Sequence, residues 1–588
     1  MKGENINRNV YIYLTIGGLL CLLLNSLGLD TLVPNKKVRD IVFENEKNVY
    51  KNLSTLVHER EIIRSMVTTA WAEYSPEYKT TELIPFYYNE KITYIERNTL
   101  NGMRSYLLRT MAPDEGVLIP LERMNLKKLN FNPHYFTYGG FYIYSEGLYL
   151  AILKLMGVIN LKRDIAFYIL HPEEMGKIYI ALRFVNSLLA LGSFLLIFLI
   201  GTRIQGQWHG ILSSLLFIFT PGIVIWNHFA RPHIFSLFWI LLALYFFIKT
   251  LQEEKAEIKN FILACIFTGI VAGILIPYGI VMLLMIPLTV ALKKHFSSFS
   301  QFTKRSLFGL LIVLAIFLIT NPYLLADIQE VLSEYRYTRM DVRYVPSLQN
   351  YLYYLTTVLK IHMGIFLWIL CLLSVFISLY KPKKEEWLIL FPFLMGFLLF
   401  GTSYPNYMLR FVFFLPFVVL IAGNGILKIS KIKKLYSLAM AYFILCFCYT
   451  ALYTGAYLNL LKGEDTRYMA GKWINTNIPA GTSIGLKEYP VAFRTPPFSF
   501  AKYKVQIVED KNKFQEKMPE YFVVSSFDWR FSSYEEIKYY LSDYYEEFKV
   551  FRRVPEIFNI TFNVQYRHLP PDYCYFNPEV VIWKRKRK

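Results

Sequence analysis

The chain has 588 residues, of which 54% are hydrophobic, 17% aromatic and only 18% charged. Soluble domains average about 25% charged residues, and the apolar residues here gather into long runs. Composition therefore excludes a soluble enzyme, a disordered chain and a fibrous protein. The formal net charge of +20 is typical of basic cytoplasmic loops that contact anionic lipid, and it does not favour nucleic acid as a partner. The cysteines, most of them within apolar runs, predict no disulfide framework.

About eleven segments are long and apolar enough to predict membrane spans, so the predicted fold is a polytopic α-helical membrane protein. Residues 141–158 are apolar enough for a marginal further span. Glu146 and Lys154 within them favour an interfacial or re-entrant helix instead. The predicted spans are 10–28, 178–201, 210–226, 234–250, 261–276, 278–292, 306–321, 361–380, 386–401, 409–427 and 435–457.

The basic residues of the connecting loops predict the orientation. With the N-terminus in the cytoplasm, lysines and arginines collect in the inner connections, whereas the short outer turns hold only Arg231. We therefore expect a multi-pass protein of the cell inner membrane with two large segments outside. The predicted parts are 1–29 (tail and first span), 30–177 (first outer loop with surface helices), 178–461 (spans two to eleven) and 462–588 (a small C-terminal outer α/β domain).

Patterns inside the two outer segments predict their local structure. Residues 36–65 have helical spacing, and 114–129 have the pattern of an amphipathic helix lying on the membrane surface. Near the C-terminus, a helical pattern spans 534–547. Strand-like pieces occur at 482–487, 504–508, 521–525 and 578–583.

Two adjacent carboxylates, Asp114 and Glu115, stand at the start of the predicted amphipathic helix in the sequence Pro-Asp-Glu-Gly. Acidic side chains are favoured at the positive end of a helix dipole. Neighbouring helical residues point about 100° apart, so the two acids cannot share one task. One would face a substrate while the other binds a hydroxyl or caps the helix. The alternative is an ordinary helix start with an acidic first turn.

Several cationic residues are predicted to lie at the outer surface. A charge deep in a span costs about 2.5–3.5 kcal/mol on insertion scales, so Arg183 and Arg410 require a partner. A lipid phosphate at headgroup depth would serve, as would snorkelling or an internal ion pair. The set consists of Arg183, His228, Arg231, His233, Lys360, His362 and Arg410.

The sequence lacks the usual phosphate loop, zinc motifs and serine-nucleophile elbow. His228 and His233 have no obvious third ligand, so no metal site is predicted from spacing. An enzyme working outside the cell, where nucleotides are scarce, needs an energy source that arrives through the membrane. A polyprenyl-phosphate-linked sugar is one such source.

The order of motifs resembles the GT-C superfamily of membrane glycosyltransferases. It is most similar to the branch that contains protein O-mannosyltransferases and the lipid A aminoarabinose transferase. The motifs are PDEG (113–116), NFNPHYFTYGG and the helix after it (130–157), the region from ALRF to HFARPHI (181–234), NPYLL (321–325), YPNYMLRFVFFLPF (404–417) and DTRYMAGKWINTNIPAGTSI (465–484).

The resemblance implies an inverting transfer of a hexose or pentose from a polyprenyl-phosphate donor to an acceptor hydroxyl on the outer face. The acceptor would be a lipid, a glycan or a protein. In this family pattern Asp114 is the general base, and Glu115 is the neighbouring acid that helps to place substrate. Arg183 and Arg231 match basic positions near the donor phosphate, and we assign His233 and Arg410 to the same group. His134 and Tyr138 are predicted to bind substrate.

Several alternatives stay open at this point. Asp30 follows the first span directly and is a rival base, because about 80 residues separate that span from Asp114. His233 stands where many relatives carry Asp. Tyrosines near the motif at 130–140 would either stack on sugar rings or anchor the chain in the aromatic belt. They are Tyr135, Tyr138, Tyr142 and Tyr144.

The function class also has alternatives. A multi-span transporter or flippase of lipid-linked sugars with an accessory outer domain is the second hypothesis, although we find no repeat of the kind that transporters show. A scaffold for envelope assembly is a third. No cofactor is predicted with certainty, and a divalent metal stays an open expectation.

Overall fold

The computed structural model describes residues 8–66, 82–293, 299–341, 343–530, 532–562 and 569–586. Within these residues, seven helices are long and apolar enough to cross a membrane. The number is eight if Gln207–Ile218 and Pro221–Asn227, which are bent by 53° to one another, form one span. The predicted fold class is confirmed: a polytopic helical membrane protein with a small C-terminal sheet domain.

Every predicted span is helical, but two contain shorter helices than expected. The segment 276–292 is two helices separated at Leu284, and Ile365–Leu379 has 15 residues. A helix rises 1.5 Å per residue, so 15 residues reach about 22 Å, less than the roughly 30 Å hydrocarbon core. The helices of the membrane domain are Arg8–Ser26, Pro172–Gln205, Gln207–Ile218, Pro221–Asn227, Pro232–Gln252, Glu257–Ile274, Ile276–Leu283, Met285–Leu292, Phe299–Thr320, Ile365–Leu379, Lys384–Phe400, Leu415–Ser430 and Tyr436–Lys462.

The loop after the first span is largely helical, as predicted for 36–65. It divides into three helices because asparagines interrupt the pattern. The side chain of Asn45, for example, accepts a hydrogen bond from the amide of Asn48 and so begins a new helix. The elements of this loop are Lys36–Phe43, Glu46–Lys51, Leu53–Met66, the hairpin Leu83–Tyr88 with Lys91–Glu96, Arg97–Leu108, Leu118–Arg123, Gly140–Leu155 and Ile165–Leu170.

The prediction of an amphipathic helix over residues 114–129 is wrong in the extent of the helix. The structure has a helix only at Leu118–Arg123, followed by a short 3-10 turn at 126–128. Asp114 has a left-handed φ of 62°, which a helix does not accommodate. The two carboxylates therefore precede the helix in an irregular turn, where buried arginines hold them.

The helix predicted at 141–158 occupies Gly140–Leu155. Its inner face buries Glu146, whose carboxylate oxygens have no hydrogen-bond partner among the described residues. The opposite face exposes Leu148, Ile152 and Leu155. The helix is thus packed on one side and apolar on the exposed side, which suits a lipid-facing position.

The C-terminal domain contains a five-stranded sheet with Ser483–Leu486 between Lys504–Ile507 and Tyr521–Ser525. These three strands are parallel. Val580–Arg585 pairs antiparallel with Tyr521–Ser525, and Tyr545–Phe551 pairs antiparallel with Val580–Arg585 at the edge of the sheet. All four predicted strands are confirmed. The helix predicted to reach 547 ends at Tyr544, where the chain passes directly into a strand. The remaining elements of the domain are Thr466–Asn477, Lys511–Lys517, Ser532–Tyr544, Tyr545–Phe551, Glu556–Ile557, Ile560–Thr561 and Val580–Arg585.

Short elements connect the spans between 323 and 414. Met408–Phe414 is a 3-10 turn that leads into the next span. The others are Tyr323–Ala326, Ile328–Asp341, the paired strands Arg343–Tyr344 and Ser403–Tyr404, Leu348–Tyr353, the π-helical turn Tyr354–Val358 and Leu359–Met363.

Candidate active site

Asp114 is the centre of the candidate site. Its side chain is 46% exposed, and its Oδ2 lies 3.1 Å from Nη2 of Arg231. The hydroxyl of Tyr575 lies 3.4 Å from the same oxygen. The phenol of Tyr138 donates to the Asp114 carbonyl over 2.7 Å. Two contacts therefore hold the carboxylate and a third holds its backbone, while the side chain stays open to solvent, as a group that meets a substrate must be.

Glu115 has different surroundings from its neighbour. It forms a two-pronged ion pair with Arg183, with distances of 2.8 Å and 2.6 Å, and both side chains are 1% exposed. The Ala230 amide also donates to Glu115 over 2.7 Å. The remaining nitrogen of Arg183 donates to the carbonyls of Leu29 and Thr31. The guanidinium of Arg183 is thus engaged with protein groups and joins the first loop to the second span.

Arg231 is also buried, with 1% of its side chain exposed, but its hydrogen bonds are incomplete. Nη2 binds Asp114 and the carbonyl of Pro113. Nε and Nη1 have no hydrogen-bond partner among the described residues. The aromatic rings of Phe229 and Tyr575 lie 5.4 Å and 5.0 Å from the guanidinium carbon. A buried cation with two unused donors is suited to an anionic ligand.

His233 and Arg410 lie on the same side of the site as Arg231. His233 is within electrostatic reach of both arginines, and its Nδ1 has no hydrogen-bond partner in the described chain. Tyr278 contacts both residues: its ring centroid lies 5.7 Å from that of His233, and its hydroxyl donates to the backbone carbonyl of Arg410 over 3.2 Å. The side chain of Arg410 is partly exposed and lies over the ring of Tyr407. Three of the predicted phosphate-binding residues therefore converge.

The short 3-10 turn Pro571–Tyr575 from the C-terminal domain contacts two parts of the candidate site, the segment before Arg410 and Asp114 itself. Asp572 is buried and accepts the backbone amides of Met408 and Leu409, each over 2.8 Å. Those residues immediately precede Arg410, while Tyr575 touches Asp114. The sequence does not predict this turn, because nothing in its local pattern distinguishes it from an ordinary connection.

Three of the four tyrosines considered as sugar-stacking residues are buried. Tyr138 packs edge-on against Tyr135 and Tyr142, with ring centroids 5.3 Å and 5.9 Å away. Burial raises the pKa of the Tyr138 phenol, so it stays protonated and donates to Asp114. These rings are closed to a sugar face, and Tyr138 acts on the site through the backbone of Asp114. Tyr144 is partly exposed instead.

His134, predicted to bind substrate, lies beside the helix Ile328–Asp341. Its Nδ1 is 3.0 Å from Oε2 of Glu330, and nearby Asn132 donates to Asp327. The ligand atoms of His134, Asp327 and Glu330 all lie within 4.8 Å of one another. One imidazole and two carboxylates are a donor set that suits Zn²⁺ or Mn²⁺, so these three residues could hold a divalent cation.

The remaining cationic residues and the rival base have other surroundings. His228 bonds the carbonyls of Val224 and Leu27 through its two ring nitrogens, and His362 bonds the carbonyl of Met408. Lys360 is exposed at its turn, and Asp30 is exposed between the two carbonyls that Arg183 binds. The two histidines therefore serve the packing of helix ends.

Residues 175–323 match the family model of dolichyl-phosphate-mannose-protein mannosyltransferases. This stretch contains Arg183, Arg231 and His233. The match confirms the resemblance to membrane glycosyltransferases of the GT-C superfamily that the motifs indicated. No curated protein matches the sequence.

Solved structures also match at low identity. ArnT from Cupriavidus metallidurans bound to undecaprenyl phosphate is 11% identical with a TM-score of 0.46, and the match covers 98% of both chains. The Archaeoglobus fulgidus oligosaccharyltransferase AglB, in complex with an inhibitory peptide and a dolichol-phosphate, is 11% identical with a TM-score of 0.44, over 97% of this chain and 78% of that one. The A. fulgidus oligosaccharyltransferase complex with Zn and sulfate is 13% identical with a TM-score of 0.35. That match covers 67% of this chain and spans 60% of the other protein's length.

Proposed function

We propose that the protein is an integral membrane glycosyltransferase that moves a sugar from a polyprenyl-phosphate donor to an acceptor hydroxyl, with inversion at the anomeric carbon. One observation carries the proposal. An exposed carboxylate, Asp114, lies 3.1 Å from a buried arginine, Arg231, that has two donors without partners in the described residues. A base and an anion-binding cation thus stand side by side.

Asp114 is the general base of this reaction. The acceptor hydroxyl gives its proton to the carboxylate while its oxygen attacks the anomeric carbon from the face opposite the phosphate. The bond from that carbon to the phosphate oxygen breaks, and its electron pair leaves with the polyprenyl phosphate. Positioning by Tyr138 and Tyr575 supports this role, because alignment of acceptor and base contributes much of the rate.

Arg231, His233 and Arg410 bind the donor phosphate in this proposal. The leaving group gains negative charge as the sugar departs, and fixed hydrogen-bond donors stabilise that charge. The open donors of Arg231 and His233 and the partly exposed guanidinium of Arg410 support the assignment. Arg183 takes a different role from the predicted one: it holds Glu115 and thereby fixes the turn that carries Asp114.

The orientation completes the proposal. The protein lies in the cell inner membrane with the N-terminus in the cytoplasm, so the site and the C-terminal domain face outward. A lipid, glycan or protein acceptor reaches the site from that side. A divalent cation at His134, Asp327 and Glu330 would join the first loop to the helix after the seventh span.

The decisive experiment measures release of polyprenyl phosphate by purified protein in nanodiscs. Radiolabelled polyprenyl-phosphate hexoses and pentoses are supplied with a cell-envelope extract as acceptor. Wild type is expected to transfer label and release lipid phosphate. Asp114→Asn should lose transfer by about 10²–10⁴-fold, and Asp30→Asn should retain it.

The opposite pattern between the two aspartates would move the base to Asp30. The second hypothesis, a transporter or flippase, predicts a different result. Folded wild type would then move the labelled lipid across the bilayer without releasing lipid phosphate from any donor.

A further inference from the structure

A small hairpin of the C-terminal domain, residues 556–561, lies against the last helix of the membrane domain. Its two short strands pair antiparallel. The side chain of Asn459 in that helix donates to the carbonyl of Glu556 over 2.9 Å. Ile557 packs over Gly455, where a Cβ would lie only 3.0 Å from the Cδ1 of the isoleucine. The missing side chain at Gly455 therefore lets the hairpin lie close to the span.

The hairpin covers the same face of this span that is exposed further along the helix. Ile444 is 57% exposed, and Cys448, one turn on, is exposed as well. Residues four or seven positions apart lie on one side of a helix. Gly455 is seven positions beyond Cys448, and Asn459 follows four positions later. The hairpin thus continues the side of the span that faces lipid.

The contacts place the hairpin near the level where the span leaves the hydrocarbon core. The helix begins at Tyr436, directly after a basic stretch that ends at Lys434. At 1.5 Å per residue, Gly455 lies about 28 Å along the helix from Tyr436, close to the roughly 30 Å thickness of the core. Phe562 follows the hairpin and packs on Tyr453, with ring centroids 4.8 Å apart. The hairpin therefore lies at the membrane boundary.

The tip of the hairpin presents apolar side chains at this boundary. Phe558 and Asn559 form the turn, with positive φ angles of 50° and 62°. Such turns favour asparagine and glycine, and a bulky residue with positive φ is uncommon. Phe558 is nevertheless 82% exposed, and Ile560 is 48% exposed. Turn backbone groups need polar partners, so the turn suits headgroup level, with its apolar side chains among the acyl chains.

Basic residues precede the apolar tip. Nη1 of Arg553 donates to the carbonyl of Glu464 over 2.9 Å, just beyond the end of the span at Lys462. Arg552 is exposed beside it. Cationic side chains at headgroup depth are attracted to anionic lipid. Single exposed apolar residues are ordinary on a protein surface, but here they follow basic groups and adjoin a lipid-facing span, which favours lipid as their partner.

We propose that the 556–561 hairpin inserts the side chains of Phe558 and Ile560 into the adjacent leaflet of the bilayer. The hairpin is then a second membrane attachment of the C-terminal domain, besides the span that leads into it. The turn Pro571–Tyr575, which contacts Asp114, follows the hairpin in the chain. The attachment therefore limits movement of the domain relative to the candidate site. The inference goes beyond the proposed function and requires no glycosyl transfer.

The test is fluorescence quenching on the full-length protein in nanodiscs of phosphatidylcholine and phosphatidylglycerol. Cys448→Ala removes the exposed cysteine, and the other cysteines are buried. In that background Phe558→Cys and Ile560→Cys each carry an environment-sensitive fluorophore. The control is Tyr539→Cys, which labels a 69% exposed position of the same domain. One quencher is a lipid with a nitroxide near the top of its acyl chain, and the other is iodide in the buffer.

The two hairpin labels are expected to be quenched by the nitroxide lipid about threefold more than the control label, as a depth of about 5–10 Å implies. Iodide should quench in the opposite order. The replaced side chains are exposed, so little packing is lost. Circular dichroism and thermal melting check the fold of each labelled variant, and the two hairpin positions give independent readings.

Three outcomes would overturn the proposal. Quenching by iodide but not by lipid at both hairpin positions would place the tip in water. Resistance to both quenchers would show that protein covers the tip, such as a second copy of the chain. Equal quenching by lipid at the hairpin and control positions would mean that the hairpin is not a specific attachment. Release of polyprenyl phosphate, measured in parallel, reports on the proposed function alone.

Discussion

The hydroxyl of Tyr575 lies 3.4 Å from Oδ2 of Asp114, although the two residues are 461 positions apart in the chain. One buried guanidinium fixes this relationship. Arg467 donates to the carbonyl of Met111 over 2.7 Å and to that of Tyr575 over 3.2 Å. Its own charge is matched by Asp465 at 2.8 Å. The C-terminal domain is therefore part of the candidate site, because its Tyr575 contacts Asp114 directly.

Tyr575→Phe is expected to lower kcat about tenfold with little change in the KM for the donor. The variant removes a hydrogen bond to a carboxylate, which is worth about 1.5–3 kcal/mol when well formed. At 3.4 Å the lower end applies. The phenylalanine ring retains the stacking on Phe527, so the fold should persist. Steady-state kinetics on the purified protein measure the effect, with Tyr573→Phe as the control. An equal loss in both variants would contradict a specific role.

Arg183→Met is expected to destabilise the protein by about 3–5 kcal/mol, because it leaves Glu115 buried without its partner. The double variant Arg183→Met with Glu115→Leu should recover most of that loss. Thermal and denaturant unfolding in detergent measure both. If Arg183 instead binds the donor phosphate, the double variant will be stable but will show a raised donor KM. That result would restore the role predicted from the sequence.

Arg410→Gln is expected to raise the KM for the polyprenyl-phosphate donor about tenfold, or about 1.4 kcal/mol. The fold should be unchanged because the side chain is partly exposed. Lys360→Gln removes an exposed cation from a nearby turn and serves as the control. Initial rates over a range of donor concentrations give the donor KM of each variant. Equal values for Arg410→Gln and wild type would remove Arg410 from the phosphate site.

A divalent cation at His134, Asp327 and Glu330 predicts stabilisation by added metal. With Zn²⁺ or Mn²⁺ at 100 times its dissociation constant, the gain is about 2.7 kcal/mol. Differential scanning fluorimetry should show a higher melting temperature that EDTA reverses. His134→Ala should remove the response. A melting temperature that is independent of metal in wild type would exclude a cation site here.

The sequence predicts much of the membrane domain because hydropathy is a local property. Each predicted span is helical, although the segment 276–292 is broken at Leu284. The parallel strands of the C-terminal domain are also local patterns. What local pattern could not predict is the turn at Asp114. The predicted helix start at Asp114 is an irregular loop in the structure, because ion pairs with Arg183 and Arg231 hold the two carboxylates in a non-helical turn.

The site itself was predicted only in part, for a related reason. Asp114, Arg231, His233 and Arg410 are unusual by themselves, since charged residues beside spans demand an explanation. Tyr575 and Arg467 are ordinary residues of a soluble domain until their long-range contacts are known. The partner of Arg183 could not be predicted either. A buried arginine that pairs with an internal carboxylate and one that binds a phosphate give the same sequence pattern.

The contact of Tyr575 with Asp114 has a consequence for the synthesis and membrane insertion of the protein. Spans enter the membrane one after another as the ribosome delivers them, and the pocket around Arg231 and Arg410 can form from those spans. The carboxylate receives its last partner only when residue 575 has emerged and the preceding domain has folded. A nascent chain in the membrane would thus lack this contact of the candidate site until the C-terminal domain has been made.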